Sequence, residues 1–265
     1  MKYFDIHSHL NLSPLSEDKE RIIKVLEEKE VGTITVGTDY ETSAEAVRIA
    51  PLSKNLFASV GFHPSDAGKK SFELEKFREL AGQEKVVAIG ECGLDYFRIE
   101  PSDTETKNLQ KEIFIKQIDL SVEKNLPLIL HVRPQKGTMD AYEDVLEILE
   151  KLVEVGPRPV RGDVHFFVGS PDIAERFLKL GFHLSFTGVI TFARDYDEVV
   201  RLTPIDRILT ETDAPFVTPN PYRGKTCEPW MVEEVAKKIA EIKGLDPEET
   251  RLQILENSKN LFRLL

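Results

Sequence analysis

Tyr3-Phe4-Asp5-Ile6-His7-Ser8-His9 is a short strand-like run that ends on two histidines one residue apart. Residues two apart in an extended segment point to the same side, so His7 and His9 project together from the end of a first strand. Neutral imidazole suits zinc, manganese or iron, and a pair at this spacing is able to grip one ion. A His-x-His also arises by chance in a chain with six histidines, so the rest of the sequence decides what the pair means.

Working outward, the chain keeps a regular beat of strand and helix. Ser16-Glu17-Asp18 reads as a helix start, and the stretch to Lys29 carries Ile22, Ile23, Val25 and Leu26 on one side. The β-branched run Thr33 to Val36 is a second strand, followed by a helix from Glu41 to Ala50 that Pro51 halts. Leu56 to Val60 makes a third strand before Gly61-Phe62-His63-Pro64. A helix over Phe72 to Ala81 then precedes the strand Val86 to Ile89, which runs into Gly90-Glu91-Cys92-Gly93-Leu94-Asp95.

The second half repeats the pattern. A long helix, Thr106 to Lys124, leads to the strand Leu128 to Leu130, which ends on His131. A helix over Tyr142 to Val153, ending before Gly156-Pro157, leads to a strand through Asp163-Val164 that ends on His165. Pro171 opens a helix that Gly181 stops, and His183 to Phe186 is the seventh strand. A short helix over Glu198 to Arg201 is followed by the strand Ile208 to Thr210 and by Glu211-Thr212-Asp213-Ala214-Pro215. Helices over Pro229 to Lys243 and Pro247 to Leu261 finish the chain. Eight strands, each followed by a helical stretch, favour one (β/α)8 TIM-type barrel spanning residues 1–265 over an open doubly wound sheet.

Composition sets the outer limits. A chain of 265 residues with 41% hydrophobic and 31% charged residues reads as soluble and globular. No apolar run approaches the roughly 20 residues needed to span a bilayer, and Met1-Lys2-Tyr3 leads directly into strand-like sequence without a signal-peptide pattern. A cytoplasmic location without membrane attachment is expected. Cys92 and Cys227 fall outside any Cys-x-x-Cys pattern and read as free thiols in a reducing compartment. The net charge of −11 argues against broad nonspecific attraction to nucleic acid, so a polyanionic substrate needs local cationic help.

The placement of polar residues supports the barrel more strongly than the count of strands. His7 and His9 close strand one, His63 strand three, Glu91 strand four, His131 strand five, His165 strand six and Asp213 strand eight. In a barrel these ends converge on one mouth. Singly, each has an ordinary explanation: a hydrogen-bonded histidine, an ion-paired glutamate, an aspartate fixing a turn. Together, and with His63 set aside, two carboxylates and four imidazoles in one small mouth leave costly unsatisfied groups unless a cation joins them. His183 begins its strand at the opposite end of the barrel and reads as structural. Six candidate ligands exceed what one tetrahedral zinc uses, so two ions bridged by a carboxylate fit better. Glu91 is the natural bridge, with His7, His9 and Asp213 around one ion and His131 and His165 on the other. The absence of cysteine from the set leaves zinc, manganese and magnesium open.

At this point the motifs resemble a known family. Asp-Ile-His-Ser-His-Leu near the start, Gly-Phe-His-Pro, Gly-Glu-Cys-Gly-Leu-Asp, His131-x-Arg133, His165-x-Phe-x-Gly169, Glu-Thr-Asp-Ala-Pro and Cys-Glu-Pro at Glu228 are similar to the motifs of the TatD family of metal-dependent deoxyribonucleases. The resemblance extends to Asn260-Leu261-Phe262. It implies a TIM-type barrel and a two-metal site built from His7, His9, Glu91, His131, His165 and Asp213, with His63 on the substrate. It also implies 3′ to 5′ exonuclease activity on single-stranded DNA, and in some members action on RNA or abasic sites. The chain departs from the family at His165-Phe166-Phe167-Val168-Gly169, where His-Cys-Phe-Ser-Gly is usual. It departs again at Thr226-Cys227-Glu228-Pro229, in place of Arg-x-Asn-Glu-Pro, and in the segment Val132 to Gly137. No departure removes a ligand, but these loops line the mouth and bear on the substrate.

The chemistry also follows from the residues. Two divalent ions activate water, hold phosphate oxygens and stabilise a leaving alkoxide. Asp213 is placed to bind one ion and accept the water's proton, and His63 to contact the phosphate, which makes Glu91, Asp213 and His63 the candidate catalytic residues. Arg133, Arg223 and Lys225 follow shortly after site residues and bring positive charge to the mouth of an acidic protein, as a phosphodiester substrate requires. The competing expectation is an amidohydrolase-type enzyme acting on a small ester, lactone or amide. Such enzymes often bridge their metals with a carboxylated lysine at the end of strand four, where this chain has Glu91.

Overall fold

The computed structural model describes residues 1–155 and 160–264, and the expected helix stop at Gly156-Pro157 lies outside them. Eight strands form one sheet in sequence order: β1 Tyr3–Ser8, β2 Val31–Val36, β3 Leu56–Val60, β4 Val86–Asp95, β5 Leu128–Arg133, β6 Gly162–Val164, β7 His183–Phe186 and β8 Ile208–Thr210. Each strand pairs in parallel with the next. Between them run α1 Lys19–Glu28, α2 Tyr40–Ile49, α3 Leu74–Leu80, α4 Thr104–Lys124, α5 Asp140–Val155, α6 Pro171–Lys179 and α7 Asp197–Leu202, with α8 Val232–Lys243 and α9 Pro247–Phe262 closing the chain. The (β/α)8 barrel expected from the sequence is the observed architecture. Among the described residues no helix is long and apolar enough to cross a membrane.

Parallel strands covered by helices on one face and by each other across the barrel are buried on both sides, which is why β2 is buried throughout as Val-Gly-Thr-Ile-Thr-Val. One apolar cluster joins Phe4 and Ile6 of β1 with Ile34, Val36, Val87, Ala88, Ile129 and Leu209 from strands on other sides of the ring, so it fills the barrel interior; Leu261 and Phe262 at the end of α9 join it. The helices start where local chemistry says they should. Asp39 caps α2 by accepting from the Thr42 N–H at 2.8 Å, and Ser170 followed by Pro171 opens α6.

The ring closes through β8 and β1. Asp213 N–H donates to the His7 carbonyl at 2.9 Å, and His9 N–H donates to the Ala214 carbonyl at 2.8 Å. Beside these backbone bonds lies the fully buried Asp5. Its carboxyl accepts from the Thr212 N–H (2.9 Å), the Thr212 hydroxyl (2.7 Å) and the His7 N–H (3.2 Å). Burial pushes the Asp5 carboxyl well above the usual carboxylate range.

Several boundaries differ from the sequence expectation. β4 does not stop at Ile89 but continues to Asp95, because Leu94 and Asp95 still pair with Val132 and Arg133 of β5. Glu91 therefore sits within a strand rather than at its close. The expected helix start at Ser16 is a 3-10 turn, Leu15–Asp18, before α1. Similarly, Pro229–Met231 is a separate 3-10 turn ahead of α8.

Replacing Asp5 by alanine leaves three donors buried without an acceptor and is expected to cost roughly 3 kcal/mol of stability. The Asp5→Asn variant keeps an acceptor oxygen in the same place and is expected to cost clearly less. Urea unfolding of the two variants checks this, and equal losses would show that the Asp5 bonds do not hold the ring closed.

Candidate active site

Two of the strands that reach the mouth carry an extra residue. Asp5 and Ser8 of β1 face Thr33 and Thr35 of β2, so Ile6-His7 spans a step that the neighbour makes with one residue. In β4, Ile89 and Cys92 face Leu128 and Leu130, so Gly90-Glu91 does the same. Such bulges re-aim side chains, and here the two re-aimed segments hold His7 and Glu91. Glycine is required beside the second. A Cβ at Gly90 would lie 2.6 Å from the Ile129 carbonyl oxygen, and one at Gly93 (φ +139°) would lie 2.2 Å from the His131 carbonyl oxygen. Both glycines let β4 sit close against β5, next to His131.

The mouth is a cavity of about 540 Å³ lined by His9, His63, Glu91, His131, His165 and Asp213, together with Arg133. His7 lies beneath its floor, fully buried. Four sets of ligand-type residues have atoms within 4.8 Å of one another: His7, His9 and Glu91; Glu91, His131 and His165; His7, His165 and Asp213; and His63, Asp95 and His131. The sequence-predicted cluster is therefore brought together in space. Arg223 and Lys225 are not part of the cavity wall. The Arg223 guanidinium lies 4.1 Å from the Phe192 ring centre and the Lys225 ammonium 5.7 Å from that of Tyr222.

The hydrogen bonds around each histidine tell which nitrogen is free. His9 donates from Nδ1 to the Val36 carbonyl (3.1 Å), which leaves its Nε2 facing the His7 Nε2 at 3.3 Å. His165 donates from Nδ1 to Glu211, leaving Nε2 at 3.6 Å from Glu91 Oε1. His131 donates from Nε2 to Asp95 Oδ2 (3.1 Å), with Nδ1 at 2.6 Å from Glu91 Oε1. Imidazoles that ligate a metal are commonly held in this way by a carboxylate or carbonyl on the far nitrogen. His63 is different. Its Nδ1 accepts from the Ser65 N–H at 3.1 Å, so in the neutral ring the proton sits on Nε2, facing His131 and Glu91.

Electrostatics show a site short of positive charge. Burial lowers the His131 pKa, yet hydrogen bonds to Asp95 and Glu91 outweigh it and hold the ring up at about 9. Burial likewise opposes charge on His165, but Glu211 and Glu91 raise it to about 10. Burial and the His131 charge push His63 down to about 4, so it is neutral at pH 7. Burial would raise Glu91, but the surrounding histidines hold its carboxylate well below the usual range. Burial would raise Asp213 too, but the hydrogen bond from His9 and the charge of the nearby imidazoles hold it below its ordinary value.

These features fit a divalent cation. His7 Nε2 and His9 Nε2 lie 3.3 Å apart, each 3.5 Å from a carboxylate oxygen of Glu91 or Asp213, and the buried His7 Nδ1 has no hydrogen-bond partner. Nitrogen and carboxylate oxygen with no sulfur is a donor set for zinc, manganese or magnesium.

Two contributors were not singled out from sequence. Asp95, at the end of β4, holds His131. Glu211 is fully buried and accepts from the Phe166 N–H (2.7 Å) and the Ser185 hydroxyl (2.5 Å) as well as from His165. Ser185 in turn reaches Asp163 at 2.8 Å, and burial together with the Glu211 charge pushes the Asp163 carboxyl well above its ordinary range. Both Asp95 and Glu211 stand in motifs quoted above, but only the fold shows which imidazole each one meets. Cys92 and Cys227 are free and buried, and His183 lies at the start of β7, away from the mouth.

The chain is similar to known proteins along nearly its whole length. An uncharacterized metal-dependent hydrolase of Bacillus subtilis (strain 168), YabD, is 43% identical over 265 residues, covering 98% of this chain and 99% of that protein. A protein of Pantoea vagans (strain C9-1) named 3′-5′ ssDNA/RNA exonuclease TatD is 31% identical over 271 residues, covering 98% of this chain and 99% of that one. Among solved structures, YJJV, a TatD homologue from Escherichia coli K12, superposes with a TM-score of 0.88 at 28% identity, covering 100% of this chain and 99% of that one. The sequence profile of the family described as TatD related DNase matches residues 4–263, and the chain belongs to that family of metal-dependent hydrolases.

Proposed function

We propose that this chain is a phosphodiesterase acting on nucleic acid, a 3′ to 5′ exonuclease on single-stranded DNA. It uses two divalent ions held by His7, His9, Glu91, His131, His165 and Asp213. The observation that carries this reading is the pair of sets His7/His9/Glu91 and Glu91/His131/His165, which share the Glu91 carboxylate. The relative from Pantoea vagans named as an exonuclease supports the substrate class. Arg133 on the cavity wall supports it independently, as a cation beside the site in a protein of net charge −11.

When bound, two such ions supply a water nucleophile at neutral pH and charge stabilisation for the phosphate and its leaving oxygen. The residues of the chain do the rest. Glu91, buried and ionised, fixes the two sets of imidazoles relative to each other. Asp213, held ionised, accepts the proton of the attacking water. His63 is neutral with Nε2–H directed into the cavity, so it donates a hydrogen bond to a phosphate oxygen rather than acting as a ligand. Asp95 and Glu211 keep His131 and His165 in the tautomers that present Nδ1 and Nε2, respectively, to the site.

Glu91→Gln is expected to lower kcat by about a hundredfold or more while the thermal unfolding midpoint stays close to that of the wild type. Near-normal turnover would reject Glu91 as the shared ligand.

The raised His131 and His165 make metal binding depend on pH. Without metal both rings are protonated at pH 7. That charge stabilises the fold below a pH of about 6.5 and is lost as the pH climbs through 9 to 10. Metal must displace these protons, so binding at pH 7 is expected to release about two per chain and to weaken as the pH falls. Calorimetry in buffers of different ionisation enthalpy measures the release, and saturation at one ion per chain without proton release would reject the paired site.

A 5′-labelled single strand is expected to shorten stepwise in magnesium, manganese or zinc. An intact strand beside rapid cleavage of a lactone or neutral ester would instead assign the chain to amidohydrolase-type chemistry.

A further inference from the structure

Fifteen phenylalanines are present, and those exposed among the described residues are Phe97, Phe192 and Phe216, at 43%, 42% and 53%. All three lie in loops that leave the mouth end of the barrel, after β4, β7 and β8. An exposed ring keeps apolar surface in water, so a set of them confined to one face is informative. Two of the three carry an arginine. The Arg133 guanidinium carbon is 3.9 Å from the Phe97 ring centre, and that of Arg223 is 4.1 Å from the Phe192 ring centre. Neither guanidinium pairs with a carboxylate among the described residues, although the chain has 46 Asp and Glu. The third ring, Phe216, lines the cavity and meets the His9 ring edge-on at 6.3 Å. Phe166 lines the same cavity, with its ring 5.9 Å from that of His165.

We infer that Phe97 with Arg133 and Phe192 with Arg223 are base-stacking platforms on separate sides of the mouth, and that Phe216 and Phe166 hold the terminal unpaired base beside the ion site. The inference rests on the nuclease reading above and names the residues that select a single strand. Each platform offers a flat aromatic face together with an uncompensated positive charge, the combination that takes up a base and its phosphate. Bases in a duplex have both faces covered by their neighbours, so only an unpaired strand gains from these rings. Charge complementarity together with the flat rings picks the occupant: an apolar peptide would leave both guanidinium groups without an anion, whereas a single strand brings a base for each ring and a phosphate for each arginine.

The test is equilibrium binding of a phosphorothioate-linked single strand containing 2-aminopurine to the full zinc-loaded chain. It is followed by quenching of the 2-aminopurine fluorescence and paired with steady-state kinetics on the ordinary strand. Phe97→Ala and Phe192→Ala are each expected to weaken binding about tenfold and to raise KM more than they lower kcat. The loss should largely disappear when the stacked bases are replaced by abasic sites, since ring and base then cease to be coupled. Leu252→Ala, another exposed apolar side chain but on α9, serves as the control and is expected to bind like the wild type. If the wild type binds and cleaves the strand while both Phe variants match it, or lose as much on the abasic strand, the platforms are refuted and the nuclease reading stands. If the wild type neither binds nor cleaves the strand, both readings fall. A change of oligomeric state in the Phe variants, with strand binding unchanged, would reassign the rings to a contact between copies.

Discussion

The bonds between Asp213 and His7, and between Ala214 and His9, join two segments about two hundred residues apart in sequence. Everything at the mouth depends on that join. Without it β1 would be an edge strand, and its histidines would face solvent instead of Glu91 and Asp213. Asp5 reinforces the join from beside it, satisfying the N–H and hydroxyl of Thr212. A buried carboxyl is costly in an apolar interior unless donors surround it, and here the donors come from both sides of the closure. That cost falls where it enforces a single register between first and last strand.

On this frame the site is arranged in layers. The nitrogens and carboxylate oxygens that face the cavity converge, while the opposite nitrogens of His9, His131 and His165 are each held by a fixed acceptor: the Val36 carbonyl, Asp95 and Glu211. An imidazole fixed on one side presents its other nitrogen with little freedom to turn, and this is the preorganisation a cation site needs. Glu211 also accepts from the Phe166 N–H, so the carboxylate that orients His165 shapes the backbone of the loop bearing Phe166. Phe166 itself has a φ of +48°, an unusual conformation for a bulky residue that the surrounding bonds sustain. The histidine cluster and the aromatic wall of the cavity are thereby built from one set of bonds.

How much of this was legible in the sequence follows from the range of each interaction. Strand ends were readable because apolar runs give way abruptly to His7, His131, His165 and Asp213, and a barrel sends all such ends to one place. The bulges at His7 and Glu91 were not, since an extra residue is visible only against a neighbour's register. The extension of β4 to Asp95 escaped for the same reason: Gly90-Glu91-Cys92-Gly93 reads locally as a turn, and only pairing with β5 keeps it extended. Asp95 and Glu211 lay in plain view within conspicuous motifs, but a carboxylate's partner is decided by the fold. Arg223 and Lys225 do not line the cavity, and the stacking of the Arg223 guanidinium on Phe192 is a contact that proximity in sequence to Asp213 could not show.

The late closure of the ring has a consequence for biosynthesis. During translation His7 and His9 emerge well ahead of their partners across the seam, with about two hundred residues made in between. At roughly 5–20 residues per second the first strand waits about ten to forty seconds for its neighbour. For that interval the nascent chain carries a His-x-His pair and an apolar strand edge without their native surroundings. A transcript truncated anywhere ahead of the codon for Asp213 yields a chain in which the first strand has nothing to close against.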